Sequence, residues 1–225
     1  MNVEYKDELL ENIVRVTQFF VKKYHTQFPT ILDIGCGLGT LSTLLLDSLD
    51  NCKIVGVDSS EEMIEESNRR LKKYIPDRYS SHISNFNFKN FWTPEIDRKY
   101  DFIVSSLALH YLSDERRSAF FSEIHEHLKE NGVFIACIGN LSKISEIREM
   151  EEIFKAEYAY KNVTWQENDP DDFESFLNES KDRQREMKIN WRIPEDYLTA
   201  LKDADFEKYD IVWHIWVKSI FVAIK

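Results

Sequence analysis

Apolar residues at Leu9, Leu10, Ile13, Val14, Val16, Phe20, Val21 and Tyr24 recur at the three-to-four-residue spacing of an amphipathic helix, and Pro29 ends that segment. The pattern then changes to short apolar runs separated by helical stretches. Ile31-Leu32-Asp33-Ile34 reads as a strand, followed by a turn containing Gly35, Gly37 and Gly39 and a helix opened by Leu41, Leu44 and Leu45. Further strands are predicted over Lys53 to Val57, around His82 to Phe86, over Asp101 to Ser105 and over Val133 to Ile138. Between them, Ser59 and Glu62 are spaced as a capping box for a helix facing inward through Met63, Ile64, Ser67 and Leu71. Ser113 or Asp114 caps a helix carrying Phe120, Phe121, Ile124 and Leu128, and Asn131-Gly132 is expected to stop it. This strand–helix alternation predicts an α/β fold, a mostly parallel sheet with helices on both faces.

After Gly139 the rhythm is lost. Residues 140–192 are charged and helical in pattern (Ile144, Ile147, Met150, Phe154, then Phe173, Phe176, Leu177), broken at Asn168-Asp169-Pro170 and rich in Tyr158, Tyr160, Trp165 and Trp191. They read as a helical insertion following the fifth strand. Pro194 starts a last helix, and Tyr209 to Trp216 and Ser219 to Ile224 are apolar segments joined so closely that only an antiparallel pair fits. The expected organisation is one domain over 1–225, with a leading helix or lid in 1–28 and the insertion in 140–192.

Chemistry concentrates at the glycine turn. A dinucleotide fingerprint places its third glycine three residues after the second, but Thr40 stands there and Gly39 comes one residue early. Asp33, just before the turn, repels a pyrophosphate and suits a cationic amino group. About twenty residues on, a second strand ends in Asp58, placed to accept hydrogen bonds from ribose hydroxyls. The pair fits a positively charged nucleoside better than a nicotinamide dinucleotide.

Composition narrows the partners. Forty acidic against 29 basic side chains give a formal net charge of -11, so neither direct nucleic-acid binding nor an anionic membrane is expected. Cys36, Cys52 and Cys137 have no metal-like spacing and read as reduced thiols of a cytoplasmic protein. No signal peptide is expected, and no apolar run reaches membrane length. His125 and His127 diverge on a helix and cannot share an ion, so no metal is expected.

Four ordered segments resemble the class I S-adenosylmethionine-dependent methyltransferases: Ile31 to Gly39, Val55-Gly56-Val57-Asp58-Ser59-Ser60-Glu61-Glu62-Met63, Tyr100 to Ser105 with Leu109-His110-Tyr111-Leu112, and the terminal hairpin. The resemblance implies a Rossmann-like sheet of seven strands with the last antiparallel, S-adenosyl-L-methionine as cofactor, and methyl transfer to a small-molecule acceptor by a monomer or homodimer. It assigns Asp33 to the cofactor's amino group, Asp58 to both ribose hydroxyls, and Gly35, Cys36 and Gly37 to the cradle. Ser59 and Met63 would flank the adenosine, and Asn87 with Phe88 would stand where relatives have an acid at the adenine. Ser105 and Ser106 would line the methionine part, with Tyr5 closing over it. His110 is the candidate proton acceptor, Tyr111 lies at the acceptor side, and Arg183 is similar in position to a carboxylate-holding arginine of carboxy-S-adenosylmethionine synthase. A synthase of that kind and a non-catalytic S-adenosylmethionine-binding protein are the alternative readings.

Overall fold

A computed structural model describes residues 5–162, 172–186 and 192–225, the side chains of 183–186 excepted. The chain opens with α1 (Lys6–Lys23), then alternates β1 (Thr30–Ile34), α2 (Thr40–Ser48), β2 (Lys53–Asp58), α3 (Glu61–Arg70), β3 (Tyr79–Ile83), β4 (Tyr100–Ser106), α4 (Asp114–Glu126) and β5 (Leu128–Gly139). The insertion contributes α5 (Ser145–Asn162) and α6 (Phe173–Glu186), and α7 (Pro194–Asp203) leads into β6 (Lys208–Ile215) and β7 (Lys218–Ile224). All seven strands form one sheet in the order β3-β2-β1-β4-β5-β7-β6. β1 to β5 are parallel, and β7 runs antiparallel between β5 and β6.

The order reverses between β1 and β4, so the connections leaving these two strands diverge and open a crevice at their carboxyl ends. Two apolar layers hold the sheet in place. On one face Leu9, Leu10 and Ile13 of α1 and Leu41 and Leu45 of α2 pack on Ile31, Val104 and Ile135. On the other, Phe120, Phe121 and Ile124 of α4 and Tyr197 and Leu201 of α7 cover Leu32, Ile103 and Phe134. Each such side chain, fully buried, contributes about 1.5–3 kcal/mol. The insertion returns close to where it leaves, since the Leu141 N–H donates to the Arg192 carbonyl at 2.9 Å and Arg192 pairs with Asp114 of α4. No helix among the described residues is long and apolar enough to cross a membrane.

Three local expectations need correction. The cap of α3 is Ser60, whose Oγ accepts the Met63 N–H at 3.3 Å; Ser59 lies one residue outside, exposed. Asn131-Gly132 does not stop α4. That helix ends at Glu126, and Leu128 already pairs with Tyr100, so the two residues form an irregularity inside β5 with Asn131 at φ 60°. β3 begins at Tyr79, earlier than its hydrophobicity suggests. It is an edge strand of polar residues (Ser80, Ser81, His82) anchored by the buried Tyr79 ring.

Candidate active site

The turn after β1 carries Gly35, Gly37 and Gly39 at φ 70°, 50° and 73°, a left-handed run that a β-carbon would strain. Its position is fixed by N–H groups of Gly35 and Cys36, which donate to the Val57 carbonyl at 2.8 and 3.0 Å. The spaces around the glycines differ. A Cβ on Gly35 would sit 2.2 Å from the Ala108 Cβ, so the turn and the segment after β4 need each other's small residues, whereas a Cβ on Gly37 would meet nothing within 4 Å. The cradle is open above Gly37.

Asp58 braces this turn from the next strand. Its carboxylate accepts the Gly37 N–H at 2.9 Å and the Ser60 N–H at 3.0 Å, joining the two β–α turns. Asp33 is only 1% exposed; Oδ2 accepts from Ser42 Oγ at 2.7 Å, while Oδ1 is buried without a hydrogen-bond partner. Burial, more than the neighbouring Asp58, raises its pKa to about 7, against the lowering effect of Ser42. An orphaned buried carboxylate oxygen is costly and calls for a donor. Beneath the turn, Tyr79 hydrogen-bonds Ser67 at 2.5 Å and reaches Cys36 Sγ at 3.9 Å. Burial pushes the Cys36 thiol well above its usual range, so it stays protonated.

Across the crevice, β4 ends in the buried Ser105, whose hydroxyl donates to the Ile34 carbonyl at 2.8 Å, and in half-buried Ser106. Leu107 follows at φ 55°, a conformation costing a branched-chain residue about 1–2 kcal/mol and marking the site rather than the core. It swings the chain so that Ala108 reaches Gly35. Neither Leu107 nor Ala108 is a candidate by sequence, because nothing in their residue types announces a left-handed bend.

Asn87 makes contacts that its residue type alone does not reveal. Its Nδ2 donates to the Tyr111 carbonyl at 3.0 Å and its Oδ1 accepts the Ser113 N–H at 2.8 Å, so both ends staple the loop after β3 to the loop after β4. Phe88 beside it is 62% exposed. Asn85, which the sequence reading passes over, is the second residue beyond β3 and its Oδ1 accepts the Asn87 N–H at 2.9 Å. Met63 is half-buried on the first turn of α3. Tyr5 precedes α1 and stacks on Tyr158 of α5 with ring centroids 5.2 Å apart, bringing leading helix and insertion together.

His110 is 7% exposed, and the Gly139 N–H at the end of β5 donates to its Nδ1 at 3.4 Å. That bond assigns the ring proton to Nε2. Burial first, and the charge of Lys155 second, lower its pKa to about 4, so the ring is neutral. Its Tyr111 neighbour lies 4.4 Å away between ring centroids. The backbone of Arg183 lies in α6; its side chain is outside the described residues. Among the described residues no three metal-binding side chains gather. His127 instead stacks on Trp92 and contacts Asp97 at 3.1 Å.

Residues 31–132 match the model of a methyltransferase-domain family. The match covers just under half of the chain, and the 3-2-1-4-5-7-6 sheet agrees with it. That stretch is therefore similar to a methyltransferase domain. Similar proteins include the carboxy-S-adenosyl-L-methionine synthase of Shewanella sediminis, 26% identical over 129 residues that cover 55% of this chain and 49% of the relative. A malonyl-[acyl-carrier protein] O-methyltransferase of Acetivibrio thermocellus is 30% identical over 103 residues, 46% of this chain and 33% of the relative. The chain thus spans about half the length, or less, of these curated relatives. Among solved structures, the CurJ carbon methyltransferase has a TM-score of 0.65 at 12% identity, covering 98% of this chain and 56% of that one. Magnesium protoporphyrin IX methyltransferase from Synechocystis, solved with bound SAH, has a TM-score of 0.60 at 13% identity and covers 100% and 89%. At such identities the structures speak for the fold of the methyltransferase domain alone.

Proposed function

We propose that this chain transfers a methyl group from S-adenosylmethionine to an oxygen, nitrogen or carbon of a small-molecule acceptor. The observation that carries the reading is the orphaned Asp33 Oδ1 beside a glycine turn left open above Gly37, with Asp58 at the tip of the adjoining strand. The residues present suit the cofactor: a buried carboxylate for its amino group, a second carboxylate for its ribose, and backbone at Gly35, Cys36 and Gly37 that admits close approach. Ser59 and Met63 would border the adenosine, Asn87 and Phe88 the base, and Ser105 and Ser106 the amino-acid end.

Bound there, S-adenosylmethionine supplies a methyl group already activated by its sulfonium. The protein's task is then alignment and exclusion of water. Tyr5 and Tyr158 would close the crevice from the lid side, with their rings favouring positive charge, while His110, Tyr111 and Arg183 would border the acceptor. Calorimetry with S-adenosylhomocysteine tests the cofactor site, and labelled donor offered with amines, phenols and carboxylic acids tests transfer. Tight binding with no turnover on any acceptor would favour the non-catalytic reading instead.

A second reading, synthesis of a carboxylated donor, is favoured by the likeness to carboxy-S-adenosyl-L-methionine synthase. Mass spectrometry of the donor after incubation distinguishes it, and an Arg183→Ala variant with full activity would count against it.

A further inference from the structure

The amino-terminal edge of the sheet, at the opposite end of the strands from Asp33 and Asp58, has a cleft of its own. It encloses about 220 Å³ and is lined by Lys53, Asp77, Arg78 and Arg98 beside the buried rings of Tyr79 and Tyr100. Strand order brings these residues together, because the parallel strands β1 to β4 all begin here in the row β3-β2-β1-β4. Lys53 opens β2 in register with Thr30 of β1, and the Ile54 N–H beside it donates to the Arg78 carbonyl at 2.9 Å, one residue before β3. On the far side of β1, Arg98 stands two residues ahead of Tyr100, the first residue of β4.

Both guanidinium groups are held by neutral partners. Arg78 donates through Nε to the Cys52 carbonyl at 3.2 Å, and through Nη2 to the carbonyls of Leu46, at 3.1 Å, and Leu49. Arg98 donates through Nε to the Tyr100 hydroxyl at 3.3 Å and through Nη2 to the Glu95 carbonyl at 3.4 Å, with its guanidinium 5.7 Å from the Tyr100 ring centroid. Among the described residues, nothing accepts from either Nη1, and the Lys53 ammonium has neither a hydrogen bond nor an ion pair. The acids nearby do not quench these charges. Asp77 pairs with none of the three cations, and Asp101 is already taken by Thr30 and Lys129. Glu95 lies near His82, as Arg98 does, but it is exposed, does not line the cleft and touches Arg98 only through its carbonyl.

Three cations and one carboxylate leave a formal charge of +2 on the lining, in a chain whose formal net charge is -11. Oriented guanidinium donors and an ammonium suit an anion with several oxygens, phosphate above all. A phosphate monoester carries about -1.5 to -2 at neutral pH, which matches the lining. The cleft is smaller than the roughly 300–1,000 Å³ of sites for drug-sized ligands, so its occupant is small. A polyanion is repelled by the rest of the surface.

We propose that this cleft is a binding site for a small phosphate monoester, held by Lys53, Arg78 and Arg98. The length of β1 and β2, about 15–20 Å, separates it from the glycine turn, so its occupant is a second ligand and not the methyl acceptor.

The test titrates the full chain calorimetrically in a phosphate-free buffer of low ionic strength, with and without saturating S-adenosylhomocysteine. The probes are phenyl phosphate, its monoanionic analogue phenyl sulfate, and a ten-nucleotide oligothymidylate. Phenyl phosphate should bind with a Kd below about 1 mM, about tenfold tighter than the sulfate, while the oligonucleotide should not bind. S-adenosylhomocysteine should change the phosphate affinity by less than about twofold. Lys53→Met and Arg98→Gln should each weaken phenyl phosphate about tenfold, and Arg98→Lys should keep most of the affinity. Both positions are exposed, which keeps the variants folded; Arg78, tied to the end of α2, is left intact. Phenyl phosphate that fails to bind at millimolar concentration, binds no better than the sulfate or is displaced by S-adenosylhomocysteine would overturn the proposal. So would tighter binding of the oligonucleotide, or Lys53→Met and Arg98→Gln variants that bind as wild type.

Discussion

The two corners of the sheet's carboxyl edge are assembled differently. At the tips of β1 and β2, Asp33 and Asp58 surround a turn whose backbone N–H groups and carboxylates lie within some 25 residues of one another, a separation set by the βαβ unit itself. At the tips of β5 and β7, His110 comes from the loop after β4 and Lys218 from the terminal hairpin, and both border Gly139, one through its N–H and the other through the strand register. The first corner is acidic and suits a cation; the second holds a neutral imidazole, a buried lysine and the buried Glu151 carboxylate of α5.

The largest effect expected concerns Asp58. Removing its carboxylate in Asp58→Ala leaves the Gly37 and Ser60 N–H groups without their acceptor and takes away the ribose partner, so affinity for S-adenosylhomocysteine should fall on the order of a hundredfold or more. Calorimetry reads this directly, and a loss smaller than tenfold would mean that the acidic corner is not the donor's grip. Adding a methyl group at the turn separates fold from function. Gly35→Ala, against Ala108 at 2.2 Å and at φ 70°, should lose about 3 kcal/mol in urea unfolding. Gly37→Ala, facing open space at φ 50°, should lose about 1 kcal/mol of stability but a larger share of cofactor affinity, because the added carbon points where the ligand would lie. If both variants lose stability alike and bind alike, the space above Gly37 is not a ligand site.

Next in size is the pH response of the acidic corner. Asp33 has its folded pKa raised from 3.8 to about 7, mainly by burial. In the free protein it therefore holds a proton that the unfolded chain has lost, and its contribution to stability, present below about pH 4, is lost as pH rises towards 7. Cofactor binding runs the other way. The donor's ammonium favours the ionised carboxylate, so affinity should weaken as pH falls below about 7. Asp33→Asn should flatten both slopes and weaken binding at pH 8; a variant that keeps the wild-type slope would assign the titration to another group.

The same contrast explains what could be read from the chain without coordinates. The strand–turn–helix alternation, the glycine turn and both carboxylates were legible because each is a local pattern whose geometry follows from spacing. The expected seven-stranded sheet with an antiparallel hairpin is the one observed. What escaped depends on contacts between distant segments. Asn87 looks like a partner for a ligand, yet its amide bonds Tyr111 and Ser113 more than twenty residues on. Leu107 bends left-handed because β5 and Gly35 require it, and Lys218 looks like a surface charge until the register of β7 sets it, buried, against Gly139. Ser60 took the cap from Ser59 by a single-residue shift, within the usual uncertainty of helix ends.

The smallest effect expected is at His110, and its smallness is the informative part. An imidazole acting as general base gives a rate that rises with pH through its own pKa, and its loss costs roughly a hundredfold or more. Here the ring is neutral with its pKa lowered to about 4, and its Nδ1 already accepts the Gly139 N–H. Turnover at saturating donor should then show no inflection near 6.5, and His110→Gln, which retains an amide N–H donor, should lower kcat/KM for the acceptor by only about threefold. The Asp33 titration does not confuse this result, because it acts on donor affinity and disappears when the donor is saturating. A hundredfold loss in His110→Gln, with an inflection that vanishes in the variant, would make His110 the base after all.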